Sequence, residues 1–312
     1  MNILAEDPAL INSVAEKTVL LRHRLAEIAA EFAPAVFANS LGAEDMLLTD
    51  LIVGGKLDIE IFSLDTGRLP AETYDLMGRL RRHYGLTLKL YCPRHELIET
   101  YTRSHGINGF YDSVELRKGC CHVRKVEPLQ RALAGKKAWI TGLRAEQAST
   151  RTGVAQREFD SANRLEKFNP LADWSEREVW AYIHANDVPY NKLHDQHYPS
   201  IGCAPCTRAI AVGEDIRAGR WWWENADGKE CGLHRIPVRV SSEANIGEAD
   251  VKAPQGAGRR QNLAGKECGL HRIPVRVSSE ANIGEAEVKA PQGAGRRQNL
   301  AGKECGLHIK RA

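Results

Sequence analysis

The chain has 312 residues, enough for one large domain or two ordinary ones, and 43% of them are hydrophobic, enough for a buried core. Its 43 basic and 40 acidic residues leave a net charge of +3, which is too balanced to predict a nucleic-acid or membrane surface. The N-terminus lacks the apolar core of a signal peptide, and no apolar run approaches the ~18 residues of a membrane span, so we expect a cytoplasmic protein. In that compartment the eight cysteines are expected to bind metal or carry out redox chemistry rather than form disulfides.

Strand-like and helix-like segments alternate through the first two-thirds of the chain. The predicted strands are PAVFANS (34–40), LDIEIFSLD (57–65), LTLKLYC (86–92) and KAWITGLR (137–144). The predicted helices are AEDMLLTDLIVGG (43–55), PAETYDLMGRLRRHYG (70–85) and DWSEREVWAYIHAND (173–187). In the last of these, Ser175 and Glu178 have the spacing of a capping box. This alternation predicts an α/β fold with a parallel sheet and helices on both of its faces.

Two turns follow consecutive predicted strands. SLGAEDM (40–46) opens a helix with a Ser/Gly turn whose backbone N–H groups suit a phosphate, although it is no Walker A loop. LDTGR (64–68) ends the next strand, at the edge where parallel sheets usually bind ligands. Each turn alone is as well explained as an ordinary tight turn. Together they predict a nucleotide cleft.

Arginines cluster in two further segments, as expected where an anion is bound. TGLRAEQASTR supplies Arg144 and Arg151, and DIRAGRWWWE supplies Arg217 and Arg220. The planar guanidinium matches the oxygens of sulfate and phosphate. The tryptophans at 221–223 suit either an adenine platform or packing at the start of a tail, and we favour packing.

Four cysteines form two tight pairs, Cys120 with Cys121 in KGCCHVRK and Cys203 with Cys206 in SIGCAPCTR. The pairing suits a metal centre better than isolated core cysteines. Adjacent cysteines diverge, which favours a wide iron–sulfur cluster over one zinc ion, and zinc remains the alternative. The basic residues around the pairs suit an anionic cluster or an anionic substrate better than a solvated surface. They are Arg117, Lys118, Arg124, Lys125 and Arg208.

The last part of the chain repeats itself. Residues 229–265 and 266–302 match at every position except Asp250 and Glu287, and the hexapeptide KECGLH occurs three times. Its cysteines are Cys231, Cys268 and Cys305. The unit has few large apolar residues and no long helical stripe, so we reject a stacked solenoid and predict a flexible, loosely ordered tail over 229–312.

The order of these motifs resembles that of the assimilatory adenylyl-sulfate (APS) reductases, the thioredoxin-dependent, iron–sulfur branch of the APS/PAPS reductase family. The resemblance covers about residues 15–234, and the segments that carry it are SLGAEDM, LDTGRL, KGCCHVRKVEPL, GLRAEQASTR, NPLADWS, YPSIGCAPCTRA, GRWWWE and KECGLH. The paired cysteines and the terminal hexapeptide make it specific. The chain departs from the family after His234, because members end shortly after one ECGLH.

This resemblance implies an adenine nucleotide alpha-hydrolase-like fold, a Rossmann-like parallel sheet with a modified PP-loop, in a catalytic domain spanning 1–228. It implies that a cysteine thiolate attacks the sulfur of APS, expels AMP and forms an S-sulfocysteine, which thioredoxin converts to sulfite. Cys231 would be the nucleophile, and Cys268 and Cys305 duplicate copies. One 4Fe-4S cluster per subunit would be bound by Cys120, Cys121, Cys203 and Cys206.

The resemblance also implies a set of substrate-binding residues. Those that would hold the adenosine and its phosphate are Ser40, Gly42, Glu44, Asp45, Asp65, Thr66 and Gly67. Those that would hold the phosphosulfate are Lys125, Arg144, Arg151, Arg217 and Arg220. Cys92 has no family role, and core packing is expected for it. The sequence leaves homo-oligomerisation open.

Three rival functions remain. A reductase of 3′-phospho-APS (PAPS) typically lacks the paired cysteines, although dual use of both nucleotides is compatible with the sequence. A PP-loop ATP pyrophosphatase shares the fold, but ECGLH after GRWWWE argues against it. A zinc-stabilised nucleotide-binding module without catalysis would contain one zinc ion in place of about four irons.

Overall fold

The computed structural model describes residues 7–147 and 153–224. A six-stranded sheet runs through this part in the order β3-β2-β1-β4-β6-β5. All neighbouring strands are parallel except β5 and β6, which pair antiparallel. The strands are β1 (Ala35–Ala38), β2 (Ile59–Leu64), β3 (Lys89–Tyr91), β4 (Ala138–Ile140), β5 (Arg157–Asp160) and β6 (Leu165–Phe168).

Seven α-helices surround the sheet in the described residues. They are α1 (Pro8–Glu31), α2 (Ala43–Gly54), α3 (Ala71–Tyr84), α4 (His95–His105), α5 (Val114–Cys121), α6 (Glu127–Leu133) and α7 (Glu176–Ala185). A π-helical turn, His122–Val126, joins α5 to α6. The short 3-10 turns are Gly109–Tyr111, Ala145–Gln147, Lys192–Gln196 and Ala204–Cys206.

The predicted strands and helices are all present, with small changes in their bounds. β3 covers only three residues of the predicted 86–92 because it is the exposed edge of the sheet. The capping box of α7 is complete, since the Ser175 hydroxyl accepts from the Glu178 N–H and the Glu178 carboxylate accepts from the Ser175 N–H. The helices α1, α4, α5 and α6 and the β5–β6 hairpin are additional to the predicted elements.

Apolar side chains cover both faces of the sheet, as predicted. Along β1, Phe37 points into the larger core, which α1, α2, α3 and α7 complete, while Val36 points into a smaller core with α6. Both side chains are fully buried. Burying one such side chain contributes roughly 1.5–3 kcal/mol, so alternation along one central strand holds the two helical layers to the same sheet.

The strand order places a topological switch point at β1, because the chain moves outward through β2 and β3 and then returns to β4 on the other side. Loops that follow β1, β2 and β4 therefore meet at the carboxyl edge of the sheet. Ligands of doubly wound sheets bind in the crevice that such loops form.

Within residues 7–147 and 153–224, no helix is long and apolar enough to cross a membrane. The predicted boundary between a domain at 1–228 and a tail at 229–312 lies outside the described residues, as does the predicted flexible character of that tail. Both stay predictions.

Candidate active site

A cavity of about 200 Å³ lies at the carboxyl ends of β1, β2 and β4. Its walls are apolar at Phe62, Leu129 and Trp139 and carry the hydroxyls of Thr66 and Thr141. Apolar walls with a few fixed polar groups are typical of a site for a planar organic ring. The cavity lies where the two predicted loops meet.

The turn after β1 uses its own side chains to satisfy its backbone. The Asp45 carboxylate accepts hydrogen bonds from the Ser40 N–H and hydroxyl, both at 2.6 Å. The N–H of Leu41, which has a φ of 66°, donates to the Asn39 side chain at 2.6 Å. Two of the N–H groups expected to face a phosphate are therefore already bonded within the turn. Ser40, Gly42 and Glu44 still line the neighbouring large cavity.

Asp45 is buried beside Gly142, which the sequence analysis did not single out. A Cβ atom on Gly142 would lie 2.2 Å from the Asp45 carboxylate, so only glycine fits there. Burial raises the pKa of Asp45 to about 7, against the opposing effect of the hydrogen bonds from Ser40. Asp45 thus links the β1 turn to the end of β4, and its contact with a nucleotide stays a prediction.

Of the three predicted residues after β2, Thr66 is the one that lines the small cavity. Asp65 instead accepts hydrogen bonds from the Gly67 N–H at 2.8 Å and the Tyr74 hydroxyl at 2.7 Å. Gly67 has a φ of 69°, which favours glycine. Asp65 and Gly67 therefore shape the loop that presents Thr66.

The larger cavity, of about 580 Å³, brings four of the predicted cations to one space. They are Lys125, Arg144, Arg217 and Arg220. Arg144 is 3% exposed, and its guanidinium is held by Glu44 at 2.8 Å and Glu146 at 2.9 Å. Arg151, the fifth predicted cation, lies outside the described residues. The cavity suits an anion of more than one charge.

The four predicted cysteines are brought together from two distant segments. Cys120 and Cys121 end α5, while Cys203 precedes the turn Ala204–Cys206 and Cys206 is its last residue. All four are 7–9% exposed, and they surround a space of about 20 Å³. Within the described ranges, no group of three or more His, Cys, Asp or Glu side chains is arranged to hold a single metal ion.

Cations surround these thiols. Burial alone would raise the pKa of Cys203, but Lys125, the Thr66 hydroxyl and Arg220 together lower it. Burial raises the pKa of Cys206 to about 12. The basic residues lining the thiol cavity are Arg68, Arg117, Arg124, Lys125 and Arg220. Such an environment favours negative charge in the space between the sulfurs.

Two buried donors belong to residues that line this space. Among residues 7–147 and 153–224, the indole Nε1 of Trp221 and the guanidinium Nε of Arg220 have no hydrogen-bond partner, and both residues line the thiol cavity. An unpartnered buried donor costs roughly 1–3 kcal/mol, so an acceptor is expected there. Four thiols, unpartnered donors and cations together fit an anionic iron–sulfur cluster.

Lys125 connects the three spaces, because it lines the small cavity, the large cavity and the thiol cavity alike. It belongs to the π-helical turn directly after the cysteines of α5. The disfavoured alternative, a solvated basic surface, does not hold for Arg117 and Arg124, which are buried, whereas Lys118 is exposed.

The structure adds residues that the sequence analysis missed. Arg68 lines the thiol cavity and lies over the Phe110 ring, 4.8 Å from its centroid. Arg68 could have been identified from the sequence by its position in LDTGR, the turn predicted at the ligand-binding edge of the sheet. One wall of the large cavity consists of aromatic and histidine side chains, for which no sequence signal was available. These are Trp180, His184, Tyr190, His194 and His197.

Two expectations concern residues next to the site. Trp221 is 1% exposed and packs among the cysteines, so the packing interpretation is confirmed for it, although Trp222 is 40% exposed. Core packing is wrong for Cys92, which is exposed. The reason is that Cys92 directly follows β3, the edge strand, and so lies in a surface loop. Cys231, Cys268 and Cys305 lie outside the described residues.

The chain is similar to proteins of known function. A family model described as "Phosphoadenosine phosphosulfate reductase domain" matches residues 34–209. The "Adenosine 5'-phosphosulfate reductase" of Allochromatium vinosum is 62% identical over 211 residues, covering 68% of this chain and 82% of that protein. The protein of the same name from Burkholderia cepacia is 53% identical over 239 residues, covering 76% and 96%.

A solved structure agrees with these matches. The phosphoadenylyl-sulfate (PAPS) reductase from Candida auris, in a phosphate complex, is 30% identical with a TM-score of 0.53 and covers 61% of this chain and 90% of that one. The likeness and the mostly parallel sheet confirm the predicted adenine nucleotide alpha-hydrolase-like, Rossmann-like class of fold.

Proposed function

We propose, because the chain belongs to the phosphoadenosine phosphosulfate reductase family, that it reduces APS to sulfite and AMP in sulfate assimilation. The observation that carries the proposal is the position of Lys125, which borders a ring-sized cavity, a cationic cavity and four buried thiols. A nucleotide with a strongly anionic phosphosulfate needs the first two of these spaces side by side.

In this proposal the adenosine occupies the small cavity, against Thr66 and the apolar walls. The phosphosulfate then lies in the large cavity, where Lys125, Arg217 and Arg220 neutralise its charge. Arg144 contributes less net charge, because Glu44 and Glu146 already pair with it. We retain Ser40, Gly42, Asp45, Asp65, Gly67 and Arg151 as proposed members of the site.

Cys231 would supply the nucleophile for the reaction. Its thiolate attacks the sulfur of APS, the bond between sulfur and the phosphate oxygen breaks, and AMP leaves with the electron pair. The product is an S-sulfocysteine. One thiol of reduced thioredoxin then attacks the Cys231 sulfur and releases sulfite, and its second thiol resolves the mixed disulfide. The two electrons come from thioredoxin.

Cys120, Cys121, Cys203 and Cys206 would hold one 4Fe-4S cluster, which supplies local negative charge and holds nearby cations rather than relaying electrons. Lys125 and Arg220 would balance that charge while facing the substrate. Trp221, whose buried Nε1 is an available donor, would help to line the space that holds the cluster. Two-electron thiol chemistry requires no one-electron carrier.

We also propose a cytoplasmic location. Supporting it, the five cysteines that the structure describes form no disulfide with one another, as expected in a reducing compartment. The proposed partners are thioredoxin and the small-molecule substrate, without nucleic acid or membrane. Neither the proposed activity nor the proposed location depends on whether copies of the chain assemble.

PAPS is a second candidate substrate, because the matched family model and the Candida auris structure both bear names of PAPS reductases. An anaerobic assay of sulfite release tests both, with APS or PAPS as substrate and reduced thioredoxin as donor. We expect sulfite from APS at a higher kcat/KM than from PAPS, both for the full chain and for a chain ending at residue 235. Pyrophosphate release from ATP without sulfite from either nucleotide would instead favour a PP-loop pyrophosphatase.

A further inference from the structure

A buried ion pair joins α5 to the end of the described chain. The guanidinium of Arg117 donates through Nε and Nη2 to the two carboxylate oxygens of Glu224, both at 2.8 Å. The two side chains are 0% and 4% exposed. Paired donors and acceptors of this kind fix the relative orientation of both groups, not only their distance.

The same arginine contacts the thiol site. Its guanidinium lies 4.6 Å from the Trp221 ring centroid, and Arg220 lies 4.7 Å from the same ring. Trp221 has a φ of 43°, a conformation that bulky residues rarely adopt. The Arg117 side chain also lies within hydrogen-bond distance of the Cys121 thiol. Arg117 therefore contacts the turn at Trp221, the carboxylate after it and one thiol.

Stability alone does not explain a buried ion pair here. Removing two charges from water costs several kcal/mol, and apolar pairs of similar volume often stabilise as well or better. Backbone strain such as that at Trp221 costs roughly 1–3 kcal/mol and persists only where the surroundings impose it. The contacts of Arg117 therefore specify one path of the chain through residues 221–224.

We propose that Arg117 and Glu224 form a positioning pair for the proposed reaction, which fixes where the chain carrying the nucleophile leaves the thiol site. The inference rests on the proposed function. Cys231 follows Glu224 by seven residues, a span of at most about 25 Å at full extension. The place at which Glu224 is held thus sets the starting point from which the Cys231 thiolate must reach the large cavity. Neither member of the pair lines that cavity.

The test is the Glu224→Gln variant of the iron-loaded full chain, measured for S-sulfonate formation from APS without thioredoxin. Gln keeps the size of Glu and one acceptor but removes the charge. We expect the rate at saturating APS to fall about tenfold, within the ~10²-fold that a misplacement of 1 Å can cost. The APS concentration for half-saturation should change less than about twofold, because the substrate contacts are intact.

Two further variants separate positioning from folding. Arg117→Met combined with Glu224→Leu removes both charges together, so the fold is expected to persist while the rate falls as in Glu224→Gln. Glu166→Gln is the matched control, since it breaks a surface ion pair with Arg157 at 3.0 Å. Neither residue lines the large cavity, the thiol cavity or the small cavity. The control should match the wild type.

The inference is overturned if both Glu224→Gln and the double variant react at the wild-type rate. It is also overturned if Glu224→Gln loses iron in proportion to its rate, because the pair would then support the cluster. If the wild type forms no S-sulfonate on any cysteine, the proposed function fails, and that outcome is recognised by the wild type alone.

Discussion

The thiol of Cys203 donates a hydrogen bond to the hydroxyl of Thr66, with 3.3 Å between Sγ and Oγ1, across 137 residues of sequence. Thr66 also lines the small cavity, and its carbonyl accepts from Arg124 at 2.7 Å. One residue thus touches the proposed nucleotide space and the proposed cluster ligand. When Cys203 is a thiolate, the hydroxyl becomes the donor.

Replacing Thr66 by Val keeps its shape and removes this hydrogen bond. A hydrogen bond contributes roughly 0.5–1.5 kcal/mol, so we expect iron loss to a chelator to accelerate about 2- to 10-fold. Thr66→Ser retains the hydroxyl and serves as the control, expected near the wild-type rate. The readout is the decay of visible absorbance under anaerobic conditions. Equal decay in Thr66→Val and wild type would contradict the prediction.

Cys203→Ser or Cys206→Ser should remove the visible iron–sulfur absorbance and the sulfite-forming activity together, because one iron would lose its thiolate ligand. Cys92→Ser is the matched control and should change neither, since Cys92 is exposed outside the thiol cavity. Iron analysis of anaerobically purified protein, with zinc measured in parallel, provides the check. Full activity in an iron-free variant would refute the cluster assignment.

Lys125→Ala and Arg217→Ala should raise the APS concentration needed for half-saturation far more than they change the thermal midpoint. Each loses a charged hydrogen bond of roughly 1.5–3 kcal/mol, which corresponds to about 10- to 150-fold in affinity. Lys118→Ala removes an exposed lysine from the same segment and is expected to have little effect. Unchanged kinetics in either test variant would remove that residue from the anion site.

Asp45 should make folding stability depend on pH. Burial raises its pKa from an ordinary 3.8 to about 7, so the folded protein binds this proton more tightly than the unfolded chain. Stability is therefore highest below the unfolded pKa and falls as pH rises toward 7. The free energy of unfolding should therefore decrease between pH 5 and pH 8, and in Asp45→Asn this decrease should be smaller by up to about 3 kcal/mol. Urea unfolding at several pH values provides the measurement.

Glu178 provides a comparison of opposite sign for this experiment. Burial alone would raise its pKa, but hydrogen bonds from Lys17, Ser13 and Ser175 lower it to about 2. Its contribution to the free energy of unfolding is present above the unfolded pKa and is lost as pH falls. Glu178→Gln should therefore reduce the loss of stability at acidic pH. A pH profile that Asp45→Asn leaves unchanged would show that Asp45 is ionised throughout.

The three copies of KECGLH can be distinguished by mapping the S-sulfonate with mass spectrometry after APS treatment. Cys231, Cys268 and Cys305 follow Glu224 by 7, 44 and 81 residues. Treating the tail as the flexible tether that its sequence predicts, the effective concentration falls as the −3/2 power of length, which favours Cys231 roughly 16-fold over Cys268. Cys231→Ser should lose most turnover, with Cys268→Ser as control. Adduct mainly on Cys305 would show that the last copy works.

Local sequence was sufficient where a segment carries its own signal. The strand at β1 is continuously apolar, and α7 contains its capping box, so both were predictable from neighbouring residues. The paired cysteines and the anion-site arginines were likewise recognisable. α1 was missed although Leu10, Val14, Leu21 and Leu25 repeat with helical spacing, and the short, charged β5–β6 hairpin offers little pattern.

What the sequence could not provide is the pairing of distant side chains. Glu44 was expected to contact substrate, yet it pairs with Arg144, 100 residues away. Asp45 was expected to contact the nucleotide, which stays a prediction, and it also accepts a hydrogen bond from the Ser40 N–H. Residue type and spacing indicate that charges gather at a strand edge, but only the packed structure decides which charges neutralise one another.

The π-helical turn His122–Val126 allows two unrelated demands to be met by one continuous stretch of chain. Upstream, Cys120 and Cys121 face the thiol cavity, while downstream Leu129 and Ala132 face the smaller core. Each residue advances an α-helix by about 100°. Deleting one residue here would leave a longer and more regular helix, but with its two halves out of phase. The π-helical turn thus rotates the two halves of the helical stretch relative to each other. As a result, the upstream half faces the thiol cavity while the downstream half packs into the smaller core.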